Sequence, residues 1–509
     1  MRVGGSPVGT TGMFQTLHPY IETGGYGTSC LEDIARVYSD RPYLPCRTPA
    51  IEDIGAGHQT GLRPIGLWIE DSMDFEPGQP ERSGLQRSSM NEEIPVRRVD
   101  VCILGAGPGG AAAALQLAGL GIPCLVVDKA VFPRDKVCGD GLSGKVLTIL
   151  NRIDPSVARK LSGADCKADS WGVSFIAPNR IGMDIPLKPD YERQMDKPVG
   201  FVCRRMDFDD LLVAELRHRP GVTLMEGVSL DEFHLEEDGW LLTGKGGQGL
   251  RVKAKLVIVA NGAHSSFARD VAGHGMHPDH HYAGVRAYYR GVKSCHPHNF
   301  IELHFLKGVL PGYFWIFPLP DGRANVGLAI LSSAVSRRKV NLRKLLQETV
   351  ANDPVMKERF GEAILEGRID GYGLPLGSAR RALTGERYML VGDAGHLIDP
   401  FTGEGIGNAM YAGYYAAQRT AIALQSNDFS ASALAPYEAD VYRVLGPELD
   451  VSHRLQKMVR HPWLFNFLMR IGARNRELRE LMTCMFNDVD LRHRFRDPRF
   501  YLRLLFNRG

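Results

Sequence analysis

Hydrophobic residues along this chain fall into short continuous runs of strand length, separated by stretches of helical composition. Residues 99–104 form one such run, the Ala/Leu-rich residues 111–120 predict a helix, and residues 122–127 predict a second strand ending at Asp128. Strand, helix and strand within about 30 residues make a βαβ unit with parallel strands. Downstream, a helix from near Phe208 to His218 precedes strand material at 221–233. Next come a hairpin of residues 240–243 and 250–254 around the glycine-rich turn 244–249, and a buried strand at 256–260. Strands dominate residues 282–331, at 282–292, 300–305, 313–318 and 324–331, which predicts an antiparallel sheet. A last buried strand at 388–391 precedes a region rich in helices from Gly405 onward.

This pattern predicts an α/β fold. A Rossmann-like dinucleotide-binding domain is assembled discontinuously from residues 96–170, 204–275 and 370–430. Residues 171–203 and 276–369 make an antiparallel β-sheet substrate domain, and residues 431–509 a helical, basic C-terminal region. Residues 1–95 are rich in Gly, Pro, Ser and Thr without sustained periodicity and are expected to be a poorly ordered extension; Met90 is a second candidate start, so this stretch need not be translated.

Composition adds exclusions. At 509 residues, with 44% hydrophobic and 23% charged content, the chain is too long for one core, and a net charge of +3 gives no reason to expect nucleic acid. Nine scattered cysteines without a CxxC pair point to a reducing, cytoplasmic setting and away from disulfides or zinc. His277, His280 and His281 lack carboxylate or Cys partners at ligand spacing, so they are expected in a surface loop and no metal site is expected. No run approaches the roughly 18 apolar residues of a spanning helix. Residues 451–509 carry thirteen Lys/Arg against five Asp/Glu, interleaved with Trp463, Leu464, Phe465, Phe467, Leu468 and Met469. That mixture suits peripheral contact with an anionic membrane surface; a helical cap with a solvated basic face is the competing reading.

The candidate chemistry starts at Gly105-Ala106-Gly107-Pro108-Gly109-Gly110, between the first strand and helix. The first glycine permits the turn, the second admits a pyrophosphate to the backbone, and the third lets helix and strand pack closely. Asp128, 23 residues after Gly105, is placed to accept from ribose hydroxyls. Two further letter matches, at 139–144 and 244–249, lack the strand before or the helix after. Far downstream, residues 390–395 and 399–408 join a strand to a carboxylate, Asp393, and a glycine-rich helix start at Gly405. A carboxylate there suits a ribityl hydroxyl, which NAD lacks, and the helix start suits a flavin ring, so the dinucleotide is FAD.

Five ordered motifs carry a family resemblance: residues 105–110, 133–139, 205–209 and 311–318, and the pair Gly392-Asp393 with the loop 403–406. Over residues 98–430, with Asn325-Val326-Gly327 in addition, the chain resembles the geranylgeranyl reductase family within the aromatic hydroxylase-like flavoproteins. The resemblance implies that Arg205 contacts FAD, that Val228, on the strand after the helix, lies near adenine, and that Asp393 holds the ribityl–pyrophosphate region. It implies that Gly405 and Ile406 offer backbone groups to the isoalloxazine. Cys138 and Gly139 would sit beside the ring, Cys138 as candidate catalytic residue. Tyr313 and Trp315, with Phe317 on the same aromatic strand, would line an apolar substrate channel.

The implied activity is FAD-dependent saturation of C=C bonds in a polyprenyl group on a lipid or quinone. Asn261-Gly262 stands where related hydroxylases have Asp-Gly. With no second dinucleotide unit, the electron donor, NADPH or NADH, is expected to bind transiently. Two alternatives remain open: a flavin monooxygenase or halogenase of the same fold, and a non-catalytic flavin-binding module at a membrane surface. Tyr313-x-Trp315-x-Phe317-Pro318 resembles the halogenase Trp-x-Trp-x-Ile-Pro signature with the first Trp and the Ile replaced.

Overall fold

The computed structural model describes residues 95–188, 191–244, 249–473 and 475. The expected N-terminal extension before Pro95, the centre of the 244–249 turn and the basic residues 476–509 lie outside the described residues.

Among the described residues, eight strands form the dinucleotide-side sheet. At its centre Val96–Leu104 pairs in parallel with Cys124–Asp128 and Arg251–Val259, and these extend to Val222–Glu226 and Tyr388–Leu390. Such a sheet is covered on both faces, which is why its strands read as continuous apolar runs rather than alternating ones. Helix Pro108–Gly119 presents Ala111, Ala112, Ala113 and Ala114, all fully buried. Side chains this small let helix Ile406–Ser426 pack closely beside it. Arg251–Val259 is one strand, not two: its first half pairs with Gly239–Thr243 as the expected hairpin, and its second half with Tyr388–Leu390.

The second sheet has seven described strands. The three expected between 282 and 318 and the one after are His281–Arg290, Ile301–His304, Gly312–Pro318 and Arg323–Leu331. Ile364–Pro375 joins as an edge beside His281–Arg290 and runs across residue 370, where the two parts were expected to meet. Gly172–Ile176 adds to the opposite side and pairs in parallel with Ile301–His304, so the sheet is not purely antiparallel. Residues 332–360 hold three helices, Ser332–Arg338, Leu342–Asn352 and Pro354–Phe360, within a stretch expected to be sheet. Their caps are conventional: Asn341 accepts from Lys344 N, and Asp353 from Val355 N and Met356 N. Gly200–Cys203 pairs with Gly141–Leu142 and Lys167–Ser170 in a small third sheet between the larger two.

Helices Ala431–Val459 and Pro462–Gly472 close the described chain. Buried Lys145, at the start of Gly144–Ile153, meets Glu448 at 2.6 Å and Asn408 Oδ1 at 2.9 Å. Lys145, directly after the letter match at 139–144, thus ties three helices together. No described helix is long and apolar enough to cross a membrane. His280 and His281 do not lie in a free surface loop: their rings meet Ser378 and Ser332 at 2.8 Å, and His281 opens a strand.

Candidate active site

The glycine turn is bonded on both sides. Gly105 N donates to Val127 O at 2.8 Å and Ala106 N to Asp128 Oδ2 at 2.7 Å. Gly105 has φ +96°, and a Cβ on Gly110 would lie 1.8 Å from Gly105 O, so neither position accepts a side chain. Asp128 also accepts from Ala130 N at 2.8 Å. It therefore holds the loop itself, and only the remaining lone pairs of its carboxylate are free for a ribose.

A cavity of about 1610 Å³, counting its solvent-open part, runs along this turn. It is lined by Val228, Gly105, Gly107, Pro108, Gly109, Asp128, Arg205 and Asp393. Val228 is in the loop after strand Val222–Glu226 rather than on it, anchored by its N–H to Asp128 O at 3.0 Å. Ala106 and Gly110 are buried in the turn and support it without lining the space. Asn261 Oδ1 is buried at the wall with no protein donor among the described residues, an acceptor left for a hydroxyl.

A second cavity of about 1230 Å³ shares Pro108, Lys136, Arg205, Tyr372 and Asp393 with the first, and the two are continuous. Cys138, Gly139, Tyr313, Trp315, Phe317, Gly405 and Ile406 all line it, so with Pro108 and Arg205 residues from all five motifs meet in one place. Gly405 and Ile406 stand at the start of Ile406–Ser426, where backbone N–H groups have no intrahelical acceptor. Glu404 Oε1 takes the next N–H, that of Gly407, at 2.7 Å. The far wall is apolar: Val173, Leu187, Ile301, Leu303, Ala329 and Leu374.

Two predicted residues are committed to protein partners. Arg205 binds Asp209 through two bonds of 2.7 and 2.6 Å, with Arg134 on the same carboxylate at 2.6 Å. It touches the cavities from within this cluster instead of reaching across them. Asp393 meets Lys136 Nζ at 3.0 Å, a lysine that also lies over the Tyr372 ring. Burial pushes the Cys138 thiol up, against the opposing charge of Arg205, so the resting group is a neutral thiol.

Sequence reasoning assigned no role to Asn325 or Asp140. Asn325, fully buried in Arg323–Leu331, accepts from Trp315 Nε1 at 2.8 Å and donates to Cys138 O and Asp140 Oδ2, both at 2.7 Å. The signal available was one amide in an otherwise apolar strand. Tyr313 Oη donates to Thr402 O at 3.0 Å, tying the aromatic strand to the loop before Gly405. Phe317 is wedged against the Cys138 loop: a Cβ on Gly139 would meet its ring at 2.8 Å.

Comparison with known proteins agrees with this geometry. Residues 98–444 match the FAD binding domain family. A digeranylgeranylglycerophospholipid reductase of Thermoplasma volcanium is 31% identical over 67% of this chain and 82% of its own length. The chain belongs to the geranylgeranyl reductase family of FAD-dependent oxidoreductases. A menaquinone reductase of Mycobacterium tuberculosis is 30% identical, over 63% of this chain and 76% of the relative. A solved geranylgeranyl bacteriochlorophyll reductase-like protein of Thermoplasma acidophilum superposes with a TM-score of 0.66 at 24% identity. It covers 76% of this chain and 96% of that one, and it shares the fold. As a member of this family the protein binds FAD, and the residues present suit it: a backbone turn for the pyrophosphate, Asn261 and Asp393 for hydroxyls, and a helix start for the ring. Among the described residues no cluster of His, Cys, Asp or Glu is arranged to hold a metal.

Proposed function

We propose that this geranylgeranyl reductase homologue saturates C=C bonds of a polyprenyl chain on a glycerolipid or quinone. The observation that carries the reading is the composition of the second cavity: an apolar wall that includes Val173, Leu303 and Leu374, with a neutral thiol among its lining groups. An extended hydrocarbon gains by leaving water for such a wall, and few polar groups there compete for it. Bound FAD would supply hydride chemistry at one alkene carbon, with NADPH or NADH as the transient electron donor. Cys138 would give its proton to the other carbon, the Arg205 guanidinium facing the thiolate left behind until water reprotonates it. Tyr313, Trp315 and Phe317 hold the chain; Asp128, Arg205, Val228, Asp393, Gly405 and Ile406 hold the dinucleotide.

Membrane contact forms part of the same reading. On helix Pro462–Gly472, Trp463 is 72% and Phe467 51% exposed, with Arg460 and Arg470 exposed nearby. The other face of the helix is buried: Phe465 packs 4.8 Å from Phe305, which lies 6.1 Å from Tyr313 of the cavity. A lipid substrate held in a leaflet would then reach the cavity from the side of this helix.

The test is anaerobic incubation of FAD-loaded protein with NADPH and either a geranylgeranylated glycerophospholipid or menaquinone, followed by mass spectrometry. Gains of two hydrogens per double bond are expected. An absolute requirement for O2 would favour a monooxygenase or halogenase, and unchanged lipids with flavin that no donor reduces would favour a binding module.

A further inference from the structure

Asp140 lies two residues past Cys138, is wholly buried, and holds φ at +66°, a left-handed conformation that few residues other than glycine adopt readily. Three donors converge on its carboxylate: Tyr288 Oη at 2.8 Å and Asn325 Nδ2 at 2.7 Å on Oδ2, and Arg205 N at 3.3 Å on Oδ1. The guanidinium groups nearest to it are engaged elsewhere, Arg286 with Asp135 at 2.6 Å and Arg205 with Asp209. A carboxylate is thus buried on largely neutral donors, an expensive arrangement for a residue with no task beyond packing.

The partners indicate the task. Asn325 uses both amide hydrogens, one on Asp140 Oδ2 and one on Cys138 O, and its oxygen takes the Trp315 indole N–H. Since indole only donates, the amide has one possible orientation, and Asp140 is the acceptor that completes it. We propose that Asp140 is the positioning residue of the cavity: through Asn325 it locks the Cys138 loop and the Trp315 ring at fixed separation, so the substrate double bond is held in one pose at the flavin. This deepens the proposed function and rests on it for the identity of the substrate.

The network is sensitive to pH. Burial pushes Asp140 up to about 6, against the hydrogen bonds of Asn325 and Tyr288 and the charges of Arg286 and Arg205. The titratable and charged groups facing it are Arg286 and Tyr288 from His281–Arg290, Cys203, Arg204 and Arg205 where Gly200–Cys203 meets the next helix, and Cys138 from its own loop. Protonation removes the charge that strengthens the Tyr288 and Asn325 bonds to Oδ2, so the anchor of Asn325 weakens.

The experiment compares FAD-loaded wild type, Asp140→Asn and Tyr288→Phe. The signal without substrate is Trp315 fluorescence, taken as each protein minus its Trp315→Phe counterpart and titrated from about pH 5 to about pH 8. Wild type is expected to show an inflection near pH 6. Loss of one hydrogen bond to the ionised form moves it upward by about one unit in Tyr288→Phe, and Asp140→Asn abolishes it. Anaerobic reduction of a geranylgeranylated glycerophospholipid should show an acid limb that moves in step, with FAD content unchanged. An inflection that persists in Asp140→Asn, or one that Tyr288→Phe leaves in place, overturns the proposal. If Asp140→Asn does not fold, Tyr288→Phe alone decides it. An inflection that behaves as expected in a protein that leaves the lipid unchanged supports the role of Asp140 and overturns the substrate assignment.

Discussion

The dinucleotide cradle is made chiefly of backbone, whereas the cavity that continues from it is made of side chains. In the cradle, Gly107 and the helix starting at Pro108 present backbone, and one side chain, Asp128, pins the turn. At the cavity, Cys138 and Trp315 on the wall and Asn325 and Asp140 buried behind it come from three separate stretches of chain and depend on one another's hydrogen bonds. A site made of backbone tolerates almost any neighbour but no added Cβ; a site made of side chains tolerates a local change in shape but not the loss of a partner. Variants should therefore fail differently on the two sides.

The largest effect is expected from Gly110→Ala. Its new Cβ would fall 1.8 Å from Gly105 O, and overpacking against backbone cannot relax by a rotamer change. The protein should purify without flavin absorbance and melt well below wild type; full FAD occupancy would contradict a backbone cradle. Cys138→Ala should keep its FAD and lose about 10²–10⁴-fold in anaerobic kcat, the range for removal of a positioned general acid. A loss of FAD with it would erase the distinction between the two regions.

Glu448→Gln tests the helices behind both. It leaves Lys145, 4% exposed, without its carboxylate and should cost about 3–5 kcal/mol in denaturant melts. Asp140→Asn is expected to show in the pH dependence of stability. The folded state holds this proton up to about pH 6, whereas the unfolded chain releases it near 3.8, so stability falls as pH rises through that window and stays lower above it. Asparagine does not titrate and suits the left-handed backbone, so in the variant this fall between about pH 4 and about pH 6 should be absent. A variant whose Tm falls across that window as far as the wild type's would refute this. The smallest effect belongs to the surface: Trp463→Ala with Phe467→Ala should weaken binding to anionic vesicles about tenfold, roughly 1.4 kcal/mol. Activity on detergent-dispersed lipid should be unchanged.

Much of the fold was legible because its signals are local. The run 99–104, the alanines after Gly110 and the strand ending at Asp128 each satisfy their own geometry, and they appear as Val96–Leu104, Pro108–Gly119 and Cys124–Asp128. The division of strand Arg251–Val259 into two was a misreading, because exposed Lys255 interrupts an apolar run whose partners lie far away in sequence. The helices of 332–360 went unseen because they are short, polar on one side and stabilised largely by docking on the second sheet.

The site divides in the same way. Gly105–Gly110, Asp128, Asp393 and the aromatic strand could be singled out from composition and spacing. Asp140 and Asn325 stand 185 residues apart, and nothing in either neighbourhood announces a hydrogen bond between them. Lys136 and Asp393, 257 residues apart, are the same case.

By itself, then, the sequence determined the elements of the dinucleotide unit and its glycine turn, since each depends on φ/ψ preferences and apolar periodicity that neighbouring residues set among themselves. Only the tertiary structure decided which polar groups meet behind the cavity wall. Hydrogen bonds are short and directional, so whether a buried carboxylate such as Asp140 is an idle charge or the anchor of a catalytic loop depends on which strands are packed over it.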